Sequence, residues 1–149
     1  MAAPDLYAIP TAAKTALDAA GITLDGRELK VYATEPRALD TRPAVWLRFD
    51  SFTRTNPDEA ESQLGANDWN LTYEVVLAVD AAEPHRAQQN MLELLADVID
   101  TFDDNPQLTA AVLDAKLTAG EQQWTDEPDM GPPLLLMVCT LEVWALSTY

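Results

Sequence analysis

The sequence predicts an α+β domain: a mainly antiparallel sheet of about five strands with two main helices packed on one face, in the order helix, three strands, helix, two strands. Three observations lead there. The chain has 149 residues, enough for a single domain over 1–149 with a core that needs neither disulfide nor metal. Hydrophobic residues make up 48% of it, too many for an acidic tail that stays unfolded. The apolar residues switch along the chain between a helical period and a period of two.

Taken in order, Leu6, Ile9, Ala13, Ala16, Leu17 and Ala20 recur at helical spacing, and Gly21 stands where a left-handed cap would end the helix. Pro10 is tolerable only in the first turn of that helix. After the Asp25-Gly26 turn signal, Leu29 and Val31 alternate as a short strand. From Ala44 to Phe52, Val45, Leu47, Phe49 and Ser51 alternate against Trp46, Arg48 and Asp50 as a second strand. Thr53 to Asp68 is a long polar loop, a length unusual without a functional role, and is the first candidate for a contact surface. Trp69 to Val79 gives the clearest strand, with Trp69, Leu71, Tyr73, Val75, Leu77 and Val79 on one face.

Pro84 opens the second helix. Met91, Leu92, Leu95, Val98, Ile99 and Phe102 form its apolar stripe and Glu93, Asp97, Asp100 and Asp103 its polar side, so that Leu92 to Asp103 is strongly amphipathic. A short further helix or turn covers Asn105 to Leu113, and strands follow at Lys116 to Trp124 and Leu134 to Leu146, separated by the polar loop Thr125 to Pro133. The last strand begins apolar on both faces, as an interior strand does. Leu95, Val98 and Leu141 are expected in the core.

Lys and Arg number 9 against 25 Asp and Glu, a formal charge of −16. Such a surface repels DNA, because gripping the phosphate backbone requires cationic side chains that displace counterions. The lone Cys139 lies in an apolar run, has no intrachain partner and reads as a small buried hydrophobe of a reducing compartment. The first residues show no basic stretch followed by an apolar one, and the longest apolar run, Leu134 to Cys139, is far short of the roughly 20 residues that span a membrane. A soluble protein made in the cytoplasm, with no membrane partner, is the expectation.

No constellation completes a catalytic, cofactor or metal site. Pro4-Asp5 with Glu28-Leu29-Lys30 matches the string of a metal-dependent nuclease, whose carboxylates hold a divalent cation while the lysine orients water. Asp5, however, stands at the start of a helix and not beside a hairpin end. His85 is the only histidine and reads as a surface residue of a first helical turn. Cys139 lacks a neighbouring base. Asp97, Asp100, Asp103 and Asp104 with Asn105 lack the glycine and terminal glutamate of a calcium loop and read as a solvated helix face. Asn70-Leu71-Thr72 matches a glycosylation acceptor but falls within a strand. Trp46, Trp69, Trp124 and Trp144 all lie in or at the ends of strands, where sheet packing and interfaces compete for them. Met130 is the one long apolar side chain of its loop, an interface candidate.

The phrases "AAKTALDAAG", "PAVWLRFD", "NDWNLTYEVVLAVD", "AQQNMLELLADVIDTFDDNPQL", "KLTAGEQQWTDE" and "PLLLMVCTLEVWAL" cover most of the chain. In this order they resemble the tail terminator proteins of long-tailed, siphovirus-type bacteriophages, the family of the lambda minor tail protein U. The resemblance implies a structural protein of the virion's head–tail junction with no catalytic residue. It implies a homo-hexameric ring that caps the tube of major tail protein, ends its polymerisation and offers the docking surface for the head-completion or connector protein. DNA would pass through the lumen without specific binding. Under this reading Arg54, Asn56, Asn67, Trp124 and Met130 are the candidates for contacts between subunits or with the tube. A head–tail connector protein and a small metal-dependent nuclease are the competing readings.

Overall fold

Helix α1, Ala8–Ala20, stops where a left-handed residue intervenes: Gly21 adopts φ 64° and ψ 36°, and its N–H donates to the Asp18 carbonyl at 3.3 Å. Pro10 sits in the first turn, where the N–H it lacks would have no helical partner. The Asp5 carboxylate accepts from the backbone N–H groups of Tyr7 and Ala8 at 3.1 and 3.2 Å, satisfying donors at the helix entrance. The computed structural model describes residues 3–37, 39, 43–54, 68–125 and 133–147.

The Asp25-Gly26 signal closes a small hairpin of β1, Thr23–Leu24, and β2, Arg27–Glu28, and both turn residues take the positive φ that a tight hairpin demands, 53° and 77°. Next come β3, Lys30–Tyr32; β4, Ala44–Arg54; β5, Asp68–Asp80; α2, Pro84–Asp104; β6, Val112–Thr125; and β7, Leu134–Leu146. The main sheet has the order β3-β4-β5-β7-β6, with β3 parallel to β4 and every other pair antiparallel. The architecture is therefore α+β, with two helices and a mainly antiparallel sheet.

Both helices lie on one face of the sheet. Ile9, Ala13 and Leu17 of α1 and Ala87, Met91, Leu94, Val98 and Phe102 of α2 join one core with alternate residues of β4, β5 and β7, among them Val45, Leu47, Leu71, Val75, Leu77, Leu135, Cys139 and Leu141. All six residues expected on the apolar face of Trp69 to Val79 are buried in this core. Opposite, Leu39, Ala44, Trp46, Val76, Ala78 and Leu134 make a smaller core, with Tyr32, Leu136 and Val138 packed against it. Interior position and two-sided burial explain why the start of β7 is apolar on both faces.

Two expectations need correction and a third is narrowed. Of the helix or turn expected over Asn105 to Leu113 the structure has the turn, and it stops short of Val112. Pro106 follows the α2 cap, a bend and turn cross to Ala111, and β6 begins at Val112 because its buried side chain pairs in register with Ala145. On α2, Leu92 is 55% exposed while Leu94 is fully buried. The buried stripe runs 87, 91, 94, 98, 102, so Leu92 lies a further step round the helix and Leu95 sits only at the edge of the core. In β4 a bulge at Asp50 shifts the phase, so that Phe52, and not Ser51, joins Phe49 on the helix side.

Truncation should separate these positions. Leu94→Ala and Leu141→Ala are each expected to cost about 2–4 kcal/mol in urea unfolding, and Leu92→Ala less than about 0.5 kcal/mol. Equal losses at Leu92 and Leu94 would contradict the described helix rotation.

Candidate assembly surface

The helices leave the other sheet face open, and its character changes along the strands. Near the Ala44 end of β4 it is apolar and covered by the smaller core. Towards the Arg54 end, alternation brings out Arg48, Glu74, Thr140 and Ala119, then Thr72, Glu142 and Lys116, then Asn70, Trp144 and Asp114, while Glu121 stands one row back opposite Val138. Asp50, Glu74 and Glu121 line one shallow depression there, and Asp114, Lys116, Glu142 and Trp144 line another. Arg48 is committed to Glu74, which accepts from its Nε at 3.2 Å and Nη2 at 2.8 Å, and Glu35 stands 3.7 Å from Nη1. The carboxylate beside it holds the Arg48 guanidinium above its already high pKa. With that cation paired, the open face is acidic in balance.

The two edges of the sheet are unlike. The short β3 pairs only with Ala44, Val45 and Trp46 of β4, so from Leu47 onward no described residue pairs with the outer edge of β4. Along that edge Phe49 and Phe52 are 47% and 53% exposed although they point to the helix side. Phe49 meets Tyr73 edge-on at 5.4 Å, Phe52 lies 5.6 Å from Trp69, and the Arg54 guanidinium stands 5.2 Å over the Trp69 ring. Trp69 Nε1 donates to Ser147 Oγ at 2.7 Å, which fixes the ring at the base of this row. On the far side β6 is the edge strand for its full length. Between α2 and β6 runs an apolar groove of about 240 Å³ lined by Leu95, Ile99, Leu117, Gly120, Met137 and Cys139. Gly120 lets it come this close: a Cβ there would lie 3.3 Å from both Cys139 Sγ and Met137 Sδ.

Of the sequence-predicted contact residues, Arg54 ends β4 and Trp124 nearly ends β6, where Trp124 is 52% exposed. They occupy opposite edges and opposite ends of the sheet, so they form no common site. Asn56, Asn67 and Met130, like most of both polar loops, lie outside the described residues. The tryptophans divide: Trp46 and Trp69 are buried, Trp124 and Trp144 exposed. Phe49 and Phe52 escaped sequence reading because alternation assigns Phe49 to the core, and only the folded chain shows both rings half exposed.

The residues of the nuclease string are engaged separately. Asp5 serves the entrance of α1, Glu28 is exposed on the small hairpin, and the Lys30 ammonium stands 5.7 Å from the Tyr32 ring. Among the described residues no three His, Cys, Asp or Glu side chains group as metal ligands. His85 is exposed in the first turn of α2, and Asp97, Asp100, Asp103 and Asp104 are exposed on its outer side. Asn70 is exposed within β5. A charged recess of about 310 Å³ lies beside α2, where Arg86 and Asn90 donate to the Asp25 carboxylate and hold its pKa below the usual range. These donors tie the small hairpin to α2. No described helix is long and apolar enough to cross a membrane.

No protein-family model matches the chain, and no curated protein matches it either.

Two buried groups titrate far from neutrality. Burial pushes the Cys139 thiol up to about 11 and the Tyr73 hydroxyl up to about 12, the latter donating to the Leu6 carbonyl at 2.8 Å. A tyrosine raised from about 10 in the unfolded chain stabilises the fold fully below pH 10 and loses that contribution as pH climbs towards 12. Tyr73→Phe should therefore cost about 1 kcal/mol at neutral pH, by loss of one hydrogen bond, and soften the alkaline decline in melting temperature between those limits. An unchanged alkaline profile would contradict this. The Cys139 thiolate is scarce and buried, so a thiol reagent should label the chain only after denaturant is added.

Proposed function

We propose that this chain is a phage tail terminator, a structural protein that closes into a ring on the end of the tail tube, halts tube growth and presents the docking surface for the head. The observation that carries the reading is the acidic sheet face flanked by two dissimilar edges, neither paired further by any described residue. Dissimilar edges suit head-to-tail contacts, and such contacts generate a ring when the rotation between subunits closes. An open face bearing Asp50, Glu74, Asp114, Glu121 and Glu142 suits a lumen through which DNA must travel without adhering, since phosphate is attracted by cations and repelled by carboxylates. The sequence resemblance to tail terminators supplies the biological setting, with a homo-hexamer as the assembly and the major tail protein and a head-completion protein as partners. No step in this role calls for catalysis.

The decisive experiment mixes the purified protein with polymerising tail tube protein under negative stain. Rings at one end of tubes whose length stops increasing are expected. Tubes that grow equally long with and without the protein would refute the proposal, and magnesium-dependent cleavage of plasmid DNA by the same sample, abolished in Asp5→Ala, would replace it with the nuclease reading. Charge reversal provides a second test. A variant carrying Asp114→Lys, Glu121→Lys and Glu142→Lys should fold with stability near the parent, as for surface sites, yet retard DNA at low salt where the parent does not.

A further inference from the structure

Resting on the ring reading above, we infer that neighbouring copies join by strand pairing: the outer edge of β4 in one subunit adds antiparallel to β6 of the next, with Phe49 seated in the groove beside α2 and Phe52 at its end. Strand polarity permits it. Since β4 runs opposite to β5, β5 opposite to β7 and β7 opposite to β6, a second copy placed in the same orientation brings its β4 up antiparallel to β6. The registers meet as well. One row across the sheet reads Phe49, Tyr73, Leu141, Leu117, the row on one side Leu47, Val75, Cys139, Gly120, and further along Phe52, Leu71, Val143, Ala115. Extending these rows sets the exposed rings of Phe49 and Phe52 against Leu117 and Ala115, with Gly120 leaving the groove open.

One irregularity of each edge agrees too. Within the sheet β4 gains an extra residue, Asp50, between the rows of Phe49 and Ser51, and β6 gains two, Thr118 between the rows of Leu117 and Ala119 and Leu113 between the rows of Val112 and Asp114. Each edge is thus out of step with the strand inside it, yet the stretch from Arg48 to Ser51 and the stretch from Ala119 to Lys116 span equal numbers of residues. Over this stretch the two bulges leave the edges in step with each other, with Phe49 beside Leu117 and Thr118, while the Leu113 bulge of β6 has no counterpart in β4. Charges complement across the same seam. Asp50 is the chain neighbour of Ser51, which comes level with Lys116, and Arg54 comes level with Val112, the first residue of the strand that follows α2, whose C-terminal end holds Asp100, Asp103 and Asp104 with no basic residue in its last turn. Those carboxylates sit at the negative end of the helix dipole and are stabilised by a cation brought to them.

Cross-linking tests the pairing. Ser51 and Lys116 share one row, both are exposed, and neither belongs to the proposed apolar contact. Full-length Ser51→Cys and Lys116→Cys proteins, with the buried Cys139 left in place, are treated with a short bis-maleimide separately and as a mixture, with tail tubes present and absent. The mixture should give a cross-linked dimer and neither protein alone should, while the double variant should give a ladder that ends at the ring number. Phe49→Glu should remain a folded monomer by circular dichroism and fail to form rings. Rings in the images without a mixed cross-link would overturn the pairing and leave the terminator reading standing. A chain that stays monomeric on tubes would overturn both, and a dimer from Ser51→Cys alone would replace head-to-tail pairing by a two-fold contact.

Discussion

The pairing of β5 with β7 is the interaction on which the other elements depend. It runs without a register shift from Asp68 opposite Leu146 to Asp80 opposite Leu134. Every apolar residue on its helix side enters the main core, and its opposite side supplies Val76, Ala78 and Leu134 to the smaller one. A one-residue slip would turn both sets of side chains over at once, so the register is held by burial on two faces. Helix α2 has no place to dock until this pair exists, because it packs against β5, β7 and β6, and α1 in turn packs against α2 and β3.

Much of this was legible in the amino-acid sequence, for physical reasons that differ by element. Alternation over β5 and β7 is long and uninterrupted, so their boundaries emerge almost to the residue. Gly21 and Pro84 announce a helix end and a helix start because only certain residues fit those backbone positions. What escaped was whatever depends on a neighbour distant in sequence. The bulge at Asp50 is imposed by pairing with β5, and it moves Phe52 across the sheet. Leu92 and Leu94 are equally apolar, and only the direction from which the sheet approaches α2 decides which is buried. The exposed phenylalanines were invisible for the same reason, since a Phe at an alternating position looks like core until the coverage of the helices is known. In sequence Arg54 belongs to the long polar loop and Trp124 to a strand end, and nothing there tells that the two lie diagonally apart on the sheet.

Charge is distributed with a bias that composition alone conceals. Described cations are largely engaged: Arg48 with Glu74, Arg86 with Asp25, Lys14 with Asp18, and Arg54 over Trp69. The surplus of carboxylate falls on the outer side of α2 and on the open sheet face, two surfaces on opposite sides of the sheet. Repulsion within each is relieved by water and counterions, so raising the salt concentration should favour any packing that brings these surfaces near other protein.

Chain order gives the sheet a further property. β6 precedes β7 in the sequence but lies outside it, so β7 inserts between two strands that cannot touch before it arrives. Up to that moment β5 presents an apolar strand with one bare side, and β6 has no partner at all. The β5–β7 contact, unlike the local β6–β7 one, spans a wide sequence separation and carries a large loop-closure cost, and until it forms the apolar side of β5 is exposed to other chains. A nascent chain interrupted at the β6–β7 connection would hold nearly all of its helix and half of its sheet, and still have no stable core.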